Sequence, residues 1–156
     1  MRALLFLAVL CVTPCNALAD FVGRVVKVSD GDTVTVLVES KQVRVRLDAI
    51  DAPELKQAFG SRSQQSLAEM CAAKSVRVIE RGLDRYGRTV GWIICDGIDA
   101  NSEQVRRGMA WVYQRYAPRN SPLYGLQGEA HDTRRGLWAD PQPVPPWQWR
   151  RKTRDG

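Results

Sequence analysis

The chain has 156 residues, with 23 Lys or Arg against 17 Asp or Glu and a formal charge of +6. That length suits one domain with a single sizeable core and leaves little room for a second. The basic balance points to an anionic partner (nucleic acid, acidic polysaccharide or a lipid surface) without choosing among them, and the single histidine excludes imidazole acid-base pairs and multi-histidine zinc sites.

Residues 1–19 read as an export signal: Arg2 is the only charge, an apolar run covers residues 3–12, and Ala17-Leu18-Ala19 forms a small-residue cleavage site. The mature chain then begins at Asp20, carries a charge of +5 and resides in a periplasm or outside the cell. An apolar run of about ten residues is half of the roughly 20 that span a bilayer. No later segment comes close, so no membrane anchor is expected, and Pro14 makes Cys15 a poor lipid-attachment site. Cys11 and Cys15 leave with the signal. Cys71 and Cys95 remain in an oxidising compartment, where thiols tend to pair; two separately buried thiols are the alternative. A bridge would close a loop of about 25 residues and add about 3 to 4 kcal/mol on the chain-entropy model.

From Phe21 to Leu47 the apolar residues recur with period two. "FVGRVVKV" predicts a first strand, "SDGD" a turn, "TVTVLVES" a second strand and "KQVRVRLDAI" a third. Val34, Val36 and Val38 then share one face, as do Val43, Val45 and Leu47, while Arg44 and Arg46 point the other way. "DAPE" interrupts the pattern, since Pro53 cannot donate to a ladder. A helix is expected over residues 60–72, capped by Ser61 or Ser63. "SVRVIE" and "TVGWIIC" predict the fourth and fifth strands, joined by "RGLDRYGR". "NSEQVRRGM" is a short helix capped by Asn101 or Ser102. A last helix covers residues 123–135 and ends at Gly136. The signal apart, residues 20–138 form the domain and residues 139–156 a Pro-rich basic tail, extended and disordered. Five strands with a helix between the third and fourth give the element order of an OB-fold: an α+β, mainly β chain, a five-stranded barrel with three helices.

With His131 on a charged, solvated segment, chemistry falls to carboxylates, arginines and a metal ion. Asp30, Asp32, Asp48, Asp51 and Glu54 lie within 25 positions on neighbouring predicted strands, and hard oxygen donors suit calcium or magnesium. The plain reading of "DGD" is a hairpin turn, which explains Asp30 and Gly31 and leaves Asp32 over. Trp92, Trp111 and Trp138 read as core. Trp147 and Trp149, among Arg150, Arg151, Lys152 and Arg154, could stack on bases, although a solvated tail is the simpler reading.

"VSDGDTVTV", "RLDAIDAPE", "DRYGRTVGWI", "EQVRRGMAWVY" and "RRGLW" occur in an order and spacing that resemble the staphylococcal nuclease family, from about Phe21 to Trp138. The resemblance implies a calcium ion held by Asp32, Asp51 and the backbone carbonyl of Ala52, where many relatives have threonine. It implies Glu54 as general base, and Arg46 and Arg88 as forks on the phosphate of the transition state. Tyr86 would touch the terminal phosphate or sugar, with Tyr116 a weaker substrate contact, since Gln114 stands where relatives carry a stacking tyrosine. The implied protein is an exported, monomeric, calcium-dependent nuclease acting on DNA, with RNA as a second candidate substrate. The alternative is a non-catalytic OB-fold module that binds nucleic acid.

Overall fold

The computed structural model describes residues 20–154, so the expected export signal lies outside the described residues. In chain order the elements are β1 (Phe21–Val28), β2 (Thr33–Val38), β3 (Lys41–Leu47), β4 (Ile50–Asp51), α1 (Gly60–Cys71), β5 (Ser75–Leu83), β6 (Thr89–Cys95), β7 (Ile98–Asp99), α2 (Ala100–Arg106), β8 (Trp111–Val112), α3 (Leu123–Asp132), a 3-10 turn (Gly136–Ala139) and α4 (Pro146–Arg154). β1 pairs antiparallel with β2 and β5, β2 with β3, and β5 with β6. A parallel pairing of β3 with β6, Val45 opposite Thr89 and Arg46 opposite Val90, joins the two ends. These five strands make a closed OB-fold barrel, and the chain is α+β with sheet predominating.

The strands form because β-branched residues alternate on them and the barrel removes one face from water. Val34, Val36, Val45, Leu47, Val78 and Ile93 are fully buried, and Leu67 and Met70 of α1 with Val105 of α2 belong to the same core. Cys71, at the end of α1, forms a disulfide with Cys95 at the end of β6. Of the three tryptophans read as core, Trp138 is buried in a small second cluster with Ala130 and Leu137, whereas Trp111 and Trp92 are half-buried at its edge and at the barrel's.

Several boundaries differ from the sequence expectation. The third strand stops at Leu47 instead of running to Ile50, because Ala49 takes φ 62° and turns the chain into β4, which pairs with β8. Neither expected serine caps α1: Phe59 precedes it with φ 65° and no side-chain cap, and Ser63 instead donates to the carbonyl of Met109 at 2.6 Å. Asp99, not Asn101 or Ser102, caps α2 by accepting from the Ser102 amide at 3.1 Å. α3 ends at Asp132, three residues early, and the chain leaves through Arg134 at φ 51° and Gly136 at φ 55°.

The largest correction concerns the tail, expected to be extended and disordered, which carries α4 as a fourth helix. Pro146 sits at its first position, where the missing N–H is no loss and the fixed φ suits a helix start. A nine-residue helix is too short to persist alone in water. It is held by tertiary contacts: Trp147 stacks on Tyr113, ring centroids 5.5 Å apart, and meets Trp111 edge-on at 5.8 Å.

Gly31 also differs in its reason. It does not have positive φ, as a primed hairpin turn would require. A Cβ there would lie 1.8 Å from Ser63 Oγ and 2.8 Å from Ala52 Cβ, so glycine is needed for close approach of the turn to α1 and to the segment after β4. Ser63 is itself bonded to Met109 and cannot swing away freely. Gly31→Ala is therefore expected to lower stability by about 1–3 kcal/mol, as for other overpacked sites, read as a shift in the urea midpoint; an unchanged midpoint would mean that α1 yields without cost.

Candidate active site

The site begins with a charge problem. Asp32 precedes β2 and Asp51 ends β4, and both are buried, at 6% and 1% exposure. A buried carboxylate needs a cation or several donors. Both find Arg46 of β3, whose Nη2 lies 2.9 Å from Asp51 Oδ1 and 3.4 Å from Asp32 Oδ2. Arg46 Nη1 donates to the carbonyls of Leu47 and Ile50, each at 3.0 Å, and so bridges the turn from β3 to β4. Asp32 accepts from the Ala52 amide at 2.8 Å and from the Thr33 hydroxyl at 3.0 Å. Burial opposes the charge on Arg46, but Asp32 and Asp51 outweigh it and hold the guanidinium protonated. Burial pushes the Asp51 carboxyl above the usual range, while the hydrogen bond from Arg150 pulls it back. Burial likewise pushes neighbouring Asp30 up to about 6, with the charge of Asp32 adding to the effect.

Two buried amides of α2 set the loops that carry these acids. Asn101 donates to the carbonyl of Asp48 at 3.0 Å and accepts from the Ile93 amide at 3.1 Å, tying the turn after β3 to β6. Gln104 donates to the carbonyl of Gly31 at 2.6 Å and to that of Ser63 at 3.1 Å, tying the turn before β2 to α1. Both side chains are fully buried. Sequence reasoning misses these roles, reading Asn101 as a cap; their signal is an amide at each of two core-facing positions, three apart, in a short helix.

Glu54 follows Asp51 by three residues in the loop leading to α1, and its side chain is 42% exposed. It shares one partner with Asp51. Arg150 of α4 places Nη1 at 2.8 Å from Glu54 Oε1, and its two terminal nitrogens at 3.2 and 2.7 Å from the two oxygens of Asp51. Asp32, Asp51, Glu54, Arg46 and Arg150 thus form one connected cluster. Arg150 has no counterpart among the expected site residues; its only sequence signal is the crowding of indoles and cations in "WQWRR".

The structure does not bring Arg88 into that cluster. Arg88 immediately precedes Thr89 on the barrel-closing seam, and its Nε donates to Asp84 Oδ2 at 2.7 Å. Burial would lift the Asp84 carboxyl, yet the amide and guanidinium of Arg88 and the amide of Tyr86 hold it below the usual carboxylate range. Tyr86 is 69% exposed and its ring lies 5.5 Å from the Arg88 guanidinium carbon. Tyr116, 59% exposed, meets Tyr113 edge-on at 5.2 Å, one aromatic layer away from Trp147. His131 is exposed, as expected.

Among the described residues, no group of three or more His, Cys, Asp and Glu side chains is arranged to hold a metal. Two carboxylates converge, those of Asp32 and Asp51, around one guanidinium. A cation there would have to complete its shell with main-chain oxygen, such as the Ala52 carbonyl, and water. Calcium, which takes six to eight oxygens in loose geometry, tolerates that; zinc, which wants nitrogen or sulfur, does not. The attraction of the site for positive charge is visible in Arg150, a cation seated on the outer side of Asp51. The donor chemistry therefore fits a hard divalent ion.

Residues 44–140 match the family model described as "Staphylococcal nuclease homologue". The chain is 42% identical, over 95% of its length and 91% of the relative's, to a protein named micrococcal nuclease from Shigella flexneri. It is 44% identical to Protein ParB of Escherichia coli over 98% of its length and 92% of the relative's, and 47% identical to an uncharacterized endonuclease of Escherichia coli O157:H7 over 86% and 88%. With a barrel of the expected closure, and with that family model covering more than half of its length, the chain belongs to the staphylococcal nuclease family.

Proposed function

We propose that the protein is an exported, monomeric, calcium-dependent nuclease that hydrolyses phosphodiester bonds of DNA, with RNA as a second candidate substrate. Membership of a nuclease family supports hydrolysis of nucleic acid. The observation that carries the finer reading is the convergence of buried Asp32 and Asp51 on one guanidinium, with Glu54 alongside. Three carboxylates alone would repel a phosphodiester; cations must outnumber them for one to enter.

Asp32, Asp51 and the Ala52 carbonyl would hold calcium, which when bound offsets phosphate charge and orients the attacking water. Glu54, the most exposed of the three acids, accepts the proton of that water. Arg46 is committed through both terminal nitrogens to the frame, so it contributes a fixed positive charge close to the reacting phosphate. Arg88, tied to Asp84, is the fork able to turn toward phosphate oxygens. Tyr86 and Tyr116, exposed on two loops, are the candidate contacts to sugar and base. Placement in a periplasm or the medium rests on the export signal read in residues 1–19. Among the described residues no helix is long and apolar enough to cross a membrane.

Purified protein is expected to degrade single-stranded DNA with calcium and to stop when a chelator is added. Equal degradation in both would remove the metal from the reading, and binding without cleavage in both would favour a non-catalytic module. Glu54→Gln should slow turnover by about a hundredfold or more, the size of a lost general base, with DNA binding retained; near-normal rates would take Glu54 out of the mechanism. Arg88→Lys should cost about tenfold or more in kcat, since a point charge cannot replace a bidentate fork, and an unchanged rate would contradict that role.

A further inference from the structure

α4 does more than end the chain. Its aromatic residues anchor it beside the loop that carries Glu54. Trp147 stacks on Tyr113, and Trp149 lines a shallow apolar cleft with Pro53, Phe59 and Trp111. Gln57 donates to the carbonyl of Val144 at 2.5 Å, joining the approach segment to the same loop. Pro146 is buried. The helix is therefore seated by contacts that do not involve charge.

Once seated, it delivers Arg150 to Asp51 and Glu54. The fork takes both oxygens of Asp51 and one of Glu54. An ion liganded by Asp51 needs one of those oxygens, and it would bring two further positive charges against a guanidinium bonded to the same carboxylate. Electrostatics does not favour both together. The fork does for Asp51 what a metal would do, giving a buried carboxylate a second cation beside Arg46.

We propose that Arg150 is an internal cation that competes with the divalent metal for Asp51 and Glu54, so that docking of α4 and loading of the metal site exclude one another. The inference rests on the reading of Asp51 as a metal ligand. Linkage makes the effect reciprocal: a docked helix weakens metal affinity, and bound metal loosens the helix by the same factor. The apparent affinity for calcium is the intrinsic one reduced by the fraction of molecules with the helix undocked.

The test is calcium titration by calorimetry on the full chain, comparing the native protein with Arg150→Ala and with Trp147→Ala, which keeps the arginine but removes its anchor. Both variants should bind calcium more tightly, by about tenfold if nine in ten native molecules hold the helix docked. In the native protein, amide hydrogen exchange over residues 146–154 should speed up at saturating calcium. Equal or weaker calcium binding by Arg150→Ala, with the native protein binding normally, would overturn the competition and leave the metal site standing. No calcium binding by any of the three would overturn both, and an α4 whose exchange is unaffected by calcium would overturn the displacement.

Discussion

The Arg46 guanidinium is the interaction on which the site depends. It faces two buried carboxylates with one nitrogen and two carbonyls of the β3–β4 turn with the other. Removing one partner from a buried ion pair leaves an uncompensated charge, at about 3–5 kcal/mol. Here Asp32 would lose its cation and Asp51 would keep Arg150 alone, in a turn whose Ala49 already sits at positive φ. The same atoms that offset charge therefore also hold the backbone, and the acids stay close together because their shared cation is part of a strand. That strand is fixed in turn by its pairing with β2 on one side and β6 on the other.

Around this charge cluster the protein uses uncharged amides as its rigging. Asn101 and Gln104 lie in a helix of only seven residues, yet they reach the turn before β2, the turn after β3, α1 and β6. An amide suits the task because it bonds without bringing a further charge into a place that already holds several, Asn101 through both its donor and its acceptor and Gln104 through its donor. Gly31 completes the arrangement by letting its turn approach Ser63 and Ala52 closely. The loops that carry Asp32 and Asp51 are thus held against a common helical layer.

The barrel is legible in the sequence because period-two valines are a local signal that tertiary packing reinforces: Val34, Val36, Val45 and Leu47 fall inside as their alternation requires. Asp32 is legible as a candidate because one turn-forming residue would have sufficed where two acids stand, and Asp51 and Glu54 through the density of acids and the family resemblance. The reason for Gly31 is not legible, since a glycine needed for close packing looks the same in a sequence as one needed for its φ. Nor is the role of Asn101, which reads as a cap because caps are local, while its actual partners are more distant in the chain. α4 is the strongest case. Pro-rich, basic and short, it has no local reason to be helical, and the aromatic surface that holds it comes from residues some thirty to ninety positions earlier.

The parallel seam between β3 and β6 joins segments more than forty positions apart, with Arg46 opposite Val90. Everything from the helix after β4 to the hairpin that returns as β6 must be in place before that seam can zip, because loop closure comes before the contacts that reward it. Arg46 lies on the seam, and Arg88 immediately precedes its β6 strand. A half-folded chain would consequently lack the alignment of Arg46 with Arg88 as well as the shape of the barrel, so that the two arginines reach their places only with the last act of assembly.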